Sequence, residues 1–173
     1  MLEVGIYRLR PLAMTDVAAV NSIASDPQVA RYTLWEAHSS EAVTSEFLSA
    51  LCGPKFISWA IVVSESQSVI GMIFIHSFNK RHRKAEIAFH VARHRWRQGI
   101  ASMSAKTVLQ FAFDQLALNR VEATCMPANV GSRRVLEKIG MSKEGTLRRS
   151  HRRYDGFHDM DLFSILRDDE RGR

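Results

Sequence analysis

A chain of 173 residues, 46% of them hydrophobic and 24% charged, is long enough for one packed core and too apolar to be disordered. Its formal net charge of +6 suits anionic partners: phosphates, nucleic acid or acidic protein surfaces. The longest apolar run, Val69 to Ile75, is too short to cross a bilayer, and the start "MLEVGIYRLRPL" carries charges where a signal peptide would be apolar. A cytoplasmic protein with no membrane contact is therefore expected. The two cysteines, Cys52 and Cys125, have neither CxxC spacing nor a nearby His or Cys ligand set. Two buried, reduced thiols and no metal site are expected.

Taken in chain order, Ile6 to Arg10 reads as a strand stopped by Pro11. Thr15 and Asp16 offer a cap for a helix through Val17, Val20 and Ile23, which Asp26-Pro27 breaks. Ser39 and Ser40 can cap a second helix, with Val43, Phe47, Leu48 and Leu51 on one face, and Gly53-Pro54 ends it. Phe56 to Val63 and Val69 to His76 read as an antiparallel hairpin in the centre of a sheet. Gly71 interrupts the second of these strands, the signature of a bulge or a close backbone contact. After the basic loop "FNKRHRK", Ala85 to Val91 is a strand with Ala85, Ile87, Phe89 and Val91 on one face. Glu86, Ala88 and His90 take the other.

Ala101, Ala105, Val108, Leu109, Ala112 and Leu116 step at helical spacing after Gly99. Arg120 to Cys125 is the next strand. Asn129 can cap a helix from Val130 to Ile139, with Gly140 at its C′ position. The remainder reads as two strands joined by a type I′ turn at Asp155-Gly156. No repeat, linker or low-complexity segment divides the chain. The predicted order is β-α-α-β-β-β-α-β-α-β-β, an α/β fold with a mixed, mostly antiparallel sheet flanked by helices, in one domain over residues 1–173.

The stretch "RHRWRQGIASMSA", Arg93 to Ala105, puts positive charge and a glycine at a strand-to-helix junction. A helix N-terminus presents unpaired N–H groups and the positive end of the macrodipole, so such a junction suits a phosphate. A turn glycine beside a solvated arginine face is the alternative reading of the same residues.

The spacing from Val91 through Trp-x-x-Gly-x-Ala, Trp96 to Ala101, resembles the acetyl-CoA signature of the GCN5-related N-acetyltransferase (GNAT) superfamily. Trp96 stands where the common form has Arg or Gln; an aromatic residue there resembles the RimJ/RimL-type branch, whose named members acetylate ribosomal-protein N-termini. "NVGSRRVLEKIGMSKEGTLR" and "YDGFHDMDLFSIL" resemble that branch's later segments, with Met141 in place of a usual Phe. The resemblance spans nearly the whole chain. It implies a pyrophosphate of acetyl-CoA on the amides of Arg97, Gln98, Gly99, Ile100, Ala101 and Ser102. It implies a pantetheine arm paired with Phe89, His90 and Val91, and a contact from Asn129. It also allows a homodimer.

Transfer to an amine needs a neutral amine, a polarised thioester carbonyl and a proton for the departing thiolate. At pH 7 a lysine costs about 4.6 kcal/mol to deprotonate and an α-amine only about 1.1 kcal/mol. Glu86 is the candidate base, by its place in "AEIAF"; a structural carboxylate is the alternative. Ser132 is the candidate donor to the leaving sulfur, since the resemblance implies a serine in that role; a helix-start residue bonded to Asn129 is the alternative. Tyr154, beside a turn, is expected to face solvent. No Cys/His pairing suggests a covalent enzyme intermediate.

The expected activity is transfer of acetyl from acetyl-CoA to a protein or peptide N-terminal α-amine, by direct attack. A small-molecule amine acceptor (amino acid, antibiotic or polyamine), another acyl-CoA, a non-catalytic acetyl-CoA sensor and a ribosome-binding module are the competing readings. The clusters "KRHRK" and "RRSHRR" could contact the CoA 3′-phosphate or ribosomal RNA.

Overall fold

The protein is described here by a computed structural model covering residues 1–171, with side chains through Asp169. Its backbone is one eight-stranded sheet: β1 (Leu2–Val4), β2 (Tyr7–Pro11), β3 (Ile57–Val63), β4 (Val69–Asn79), β5 (Lys84–Val91), β6 (Arg120–Cys125), β7 (Ser142–Arg153) and β8 (Gly156–Leu166), in the spatial order β1-β2-β3-β4-β5-β6-β8-β7. Every neighbouring pair is antiparallel except β5–β6. The mixed, mostly antiparallel sheet expected from the sequence is present. Among the described residues, no helix is long and apolar enough to cross a membrane.

Helices cover both faces. On one, α4 (Ile100–Asp114) and α5 (Val130–Lys138) bury Ile100, Val108, Leu109, Phe113 and Leu136 against Ile73, Ile75, Ile87, Val91 and Phe163. On the other, α1 (Val17–Ala24) and α3 (Glu41–Leu51) bury Val20, Leu48 and Leu51 against Ala60, Val62, Met72 and Phe74. The alternation of β5 serves both layers. Ala85, Ile87 and Val91 enter the first, and Ala88 packs on the second. Each fully buried Leu, Ile or Phe contributes about 1.5–3 kcal/mol of transfer free energy.

The starts of α3 and α5 follow their sequence signals, whereas Asp16, at the N-cap of α1, makes no side-chain cap bond because Arg10 and Ala13 N–H take its carboxylate. Ser40 Oγ accepts from Val43 N–H at the start of α3, and Asn129 Oδ1 accepts from Ser132 N–H at 3.0 Å at the start of α5. Gly140, at φ +95°, closes α5 with bonds from Gly140 N–H to Glu137 O and from Met141 N–H to Leu136 O. That pair of bonds is a Schellman cap, and Met141 is buried beneath it. Gly71 meets both of its sequence readings. The β3–β4 register shifts beside it, and a Cβ there would lie 2.6 Å from His90 O.

Several expectations are corrected. The predicted strand Ile6–Arg10 is Tyr7–Pro11, because Gly5 and Ile6 form the turn of an additional hairpin with β1, leaving Ile6 exposed. A short α2 (Pro27–Ala30) and a terminal α6 (Arg167–Arg171) join the predicted order. Asp26 breaks one helix by capping the next, through Gln28 N–H. Val43 is exposed and Thr44 takes its place inside, bonded to His38 and Asn21. Cys52 is exposed, at the C-cap of α3, while Cys125 is buried as expected. The last hairpin turns at Tyr154-Asp155, not Asp155-Gly156. Positive φ falls on Gly156 alone, whereas type I′ needs it at both central residues.

Asp16 ties β2 to α1. Its carboxylate takes two hydrogen bonds from Arg10, at 2.7 and 2.8 Å, and one from Ala13 N–H at 3.0 Å. Burial alone would raise its pKa; the Arg10 guanidinium and the Ala13 N–H outweigh burial and hold it below the ordinary value. The pair therefore stabilises the fold above the unfolded pKa of about 3.9, and its contribution is lost as pH falls through the depressed native value. Arg10→Met leaves a buried carboxylate uncompensated. It should cost about 3 kcal/mol at pH 7 in urea unfolding and much less at pH 3.

Candidate active site

Strands β5 and β6 pair over three residues only: Lys84↔Arg120, Ala85↔Val121 and Glu86↔Glu122. Both strands run on, but no further pair forms, so the sheet opens into a wedge. The bond from Ala92 N–H to Ile70 O sets the alternation of the β4–β5 ladder. By that alternation the backbone groups of His90 point to β4, and those of Phe89 and Val91 point into the wedge. Of the three strand residues expected to bind the cofactor, Phe89 thus turns an N–H and a C=O into the wedge and Val91 an open N–H. His90 instead offers its side chain to the other face.

At the wide end of the wedge, Val91 O accepts a hydrogen bond from Trp96 Nε1 at 2.8 Å. The indole pins the following loop to the end of β5. Arg97 and Gly99 both adopt left-handed backbone, at φ +62° and +76°. For Arg97 this is a strained conformation of the kind that clusters at ligand sites. A Cβ on Gly99 would meet no protein atom within 4 Å, so the glycine is required for its φ and leaves open space above the loop.

Among the described residues, no acceptor is present for the backbone N–H groups of Arg97, Gln98, Gly99, Ile100, Ala101 and Ser102; the first amide of α4 with one is Met103, bonded to Gly99 O. Gly99 is the N-cap and supplies no side chain. Six consecutive donors at the positive end of a 15-residue helix, flanked by Arg93, Arg95 and Arg97, form an anion cradle. The sequence-expected loop residues are all in it.

Across the wedge stands the start of α5. The Asn129 carbonyl oxygen caps the helix, and among the described residues no acceptor engages its amide nitrogen. Ser132, half-buried, is bonded through its backbone to Asn129, as its structural reading required. Its hydroxyl is near enough to the Cys125 thiol to offset a little of the rise in that thiol's pKa. Burial first, then Asp161, pushes that thiol up to about 11, so Cys125 is protonated at neutral pH and no nucleophile.

The opposite mouth of the wedge lies on the face of α1 and α3. Glu86 is half-buried there, and no hydrogen bond or ion pair engages its carboxylate among the described residues. Its neighbour in register, Glu122, is saturated by Lys84 at 3.0 Å and Arg120 at 2.7 Å. Beside Glu86 the face is aromatic. Trp35 packs on His90, His38 and Phe47, with ring centroids 5.5, 4.9 and 5.7 Å apart, and Phe74 packs on His90 at 6.0 Å. Burial lowers the His90 pKa to about 4, so the ring is neutral and packs. Trp35 and His38 come from the irregular segment between α2 and α3, where no periodicity marks them in the sequence. Tyr154 is exposed, as expected.

A family model described as an acetyltransferase (GNAT) domain matches residues 7–142. The uncharacterized N-acetyltransferase YoaA of Bacillus subtilis is 28% identical over 171 residues, 96% of this chain and 97% of YoaA. Bacillus subtilis YdaF, provisionally named a ribosomal N-acetyltransferase, is 34% identical over 100 residues, 58% of this chain and 55% of YdaF. The spermidine N(1)-acetyltransferase of Escherichia coli K12 is 23% identical over 140 residues, 81% of this chain and 75% of that enzyme. A GNAT-family acetyltransferase of Bacillus anthracis has a similar structure, with a TM-score of 0.87, 27% identity and coverage of 96% of this chain and 98% of that one. The opened sheet, the amide cradle and a family match over most of the chain lead to one conclusion: this protein belongs to the GNAT family and is an N-acetyltransferase.

Proposed function

We propose that the enzyme transfers acetyl from acetyl-CoA to the α-amine of a protein or peptide N-terminus, by direct attack within a ternary complex. The observation that carries the cofactor half is the run of six free amides, Arg97 to Ser102, beside an open strand edge. A pyrophosphate on the cradle directs the arm of the cofactor along Phe89 and Val91 toward Glu86. From Val91 to Glu86 is about 17 Å of strand. Bound there, acetyl-CoA supplies the activated thioester. Asn129 donates to the arm through its amide nitrogen.

Glu86 accepts the proton of the incoming ammonium. The Phe89 N–H, turned into the wedge nearer Glu86, is placed to hydrogen-bond the thioester carbonyl. Ser132, at the lip of the wedge in the first turn of α5, donates to the departing sulfur. The protonated state of Cys125 favours direct attack over an acyl-enzyme.

The α-amine is favoured by its low cost of deprotonation, which one carboxylate can meet. It is also favoured by charge. Glu86 is the unpaired carboxylate on the β4–β5 floor, whose other members facing α1 and α3 are Met72, Phe74, His76, Ala88 and His90. A polycation such as spermidine gains little from a site with one free acid in a protein of charge +6. YdaF supports the N-terminal reading and the Escherichia coli spermidine enzyme supports a small amine; the aromatic floor favours the first. The exposed arginines of the β7–β8 hairpin would dock the acidic or ribosomal surroundings of the acceptor.

The test is thiol release from acetyl-CoA with unblocked peptides, amino acids, polyamines and aminoglycosides, at low salt. Turnover on peptides is expected; turnover on polyamines alone would replace the acceptor. Ser132→Ala should reduce kcat about 10-fold or more with CoA affinity nearly unchanged, as measured by calorimetry. Gly99→Val should abolish CoA binding in calorimetry. The left-handed φ makes the fold about 1–2 kcal/mol less stable but leaves it intact by circular dichroism.

A further inference from the structure

The β4–β5 ladder carries an extra residue between His76 and Asn79. Bulges of this kind recur beside active sites, where they re-aim a side chain. Here the chain turns Ser77 into left-handed backbone at φ +54°, a conformation that costs a non-glycine residue free energy. What that geometry achieves is local. The exposed Ser77 hydroxyl meets His76 Nδ1 at 2.8 Å, fixing the orientation of the imidazole.

His76 lies directly opposite Glu86 across the ladder, on the same face. Cross-strand partners of this type have Cβ atoms about 5.5 Å apart. Phe56 and Phe74 flank the imidazole, with ring centroids 5.8 and 5.7 Å away. Among the described residues, no hydrogen-bond partner engages His76 Nε2. Glu86 is the charged group that faces it from β5. Lys84, next along that face, is held by Glu122, and the segment before β3 packs Phe56 on the imidazole.

We propose that His76, oriented by Ser77, is the positioning residue that takes the proton on from Glu86 and releases it to solvent. This rests on the reading of Glu86 as the base. The acceptor ammonium gives one proton to the Glu86 carboxylate, and the amine forms its C–N bond as the C–S bond breaks. The protonated Glu86 then passes that proton through one bridging water to His76 Nε2, and the imidazolium gives the same Nε2 proton up to bulk water, so the Nδ1 contact with Ser77 is kept throughout. Glu86 is thereby restored as a carboxylate within the turnover. Ser132 gives its hydroxyl proton to the departing thiolate and is reprotonated by the second proton, which the attacking nitrogen loses as it becomes the amide, so protons balance.

The electrostatics agree with that geometry. Burial lowers the pKa of His76 and the Glu86 charge works against the lowering. The imidazole is therefore neutral at pH 7, and Glu86 makes its cation more accessible than burial alone would.

The test combines His76→Gln, Ser77→Ala and Glu86→Gln. Each is followed by NMR titration of the histidine side chains and by kcat and KM from pH 5 to 9. Unblocked hexapeptides beginning with Ala, Ser or Met serve as acceptors. His76→Gln should lower kcat about 10- to 100-fold with KM nearly unchanged, and displace the acidic limb of the kcat profile. Ser77→Ala should give a smaller loss in the same direction. In the NMR titration, which needs no acceptor, Glu86→Gln should move the His76 midpoint to lower pH. A His76→Gln enzyme with the wild-type kcat and an unmoved acidic limb overturns the inference. So does a His76 midpoint indifferent to Glu86→Gln. Full activity in Glu86→Gln would instead remove Glu86 as base, a separate failure. Loss of activity in Glu86→Gln alone leaves Glu86 in place and removes His76.

Discussion

The site depends on a parallel pairing that stops early. β5 and β6 hold each other for three residues and then part. Unpaired backbone is costly inside a fold, so both strands must find other partners or face a ligand. The separation is enforced from outside the gap. β4 holds one edge of β5 along its length, β8 holds the far edge of β6, and α4 and α5 pack below. Trp96, bonded to the last carbonyl of β5, fixes where the loop begins. The amides of Arg97 to Ser102 are then delivered to the wide end of the wedge, and Asn129 and Ser132 to its other lip.

Charge is distributed around that wedge unevenly, and the unevenness separates two tasks. The α4 side gathers arginines and free N–H donors and is suited to a polyanion. At the narrow end, Lys84, Arg120, Glu122 and Glu144 neutralise one another in a network of short bonds. Glu86, the register neighbour of Glu122, stands outside that network among the described residues. Its half-buried carboxylate, opposite His76 on β4, is the group on which the proposed deprotonation of the acceptor amine rests. Cys125, which might otherwise suggest covalent chemistry, is kept protonated by its burial.

Much of this was legible in the sequence because the responsible signals are local. Gly99, the arginines around it and the periodic helix after it mark an anion site by their spacing. Asn129 and Gly140 mark the ends of α5, and the alternation in β5 separates Glu86, Ala88 and His90 from their neighbours. What was not legible depends on non-local geometry. The turn at Gly5 makes an edge strand of only three residues, too short for a pattern. Trp35 and His38 sit in an irregular segment, and only tertiary packing brings them to His90. The substitution of Thr44 for Val43 in the interior follows from a hydrogen-bonded trio with His38 and Asn21, which no hydrophobic pattern reveals. The bulge at Ser77 is likewise invisible, because neither Ser nor Phe is a turn residue of strong preference at that place.

The central claim is that the six free amides of the α4 loop hold the pyrophosphate of CoA. The most direct measurement is an amide-resolved NMR titration of the protein with CoA. The account predicts large, saturable shifts at Arg97 through Ser102, with smaller ones at Phe89 and Val91. Binding of CoA that leaves those six amides unmoved would contradict it.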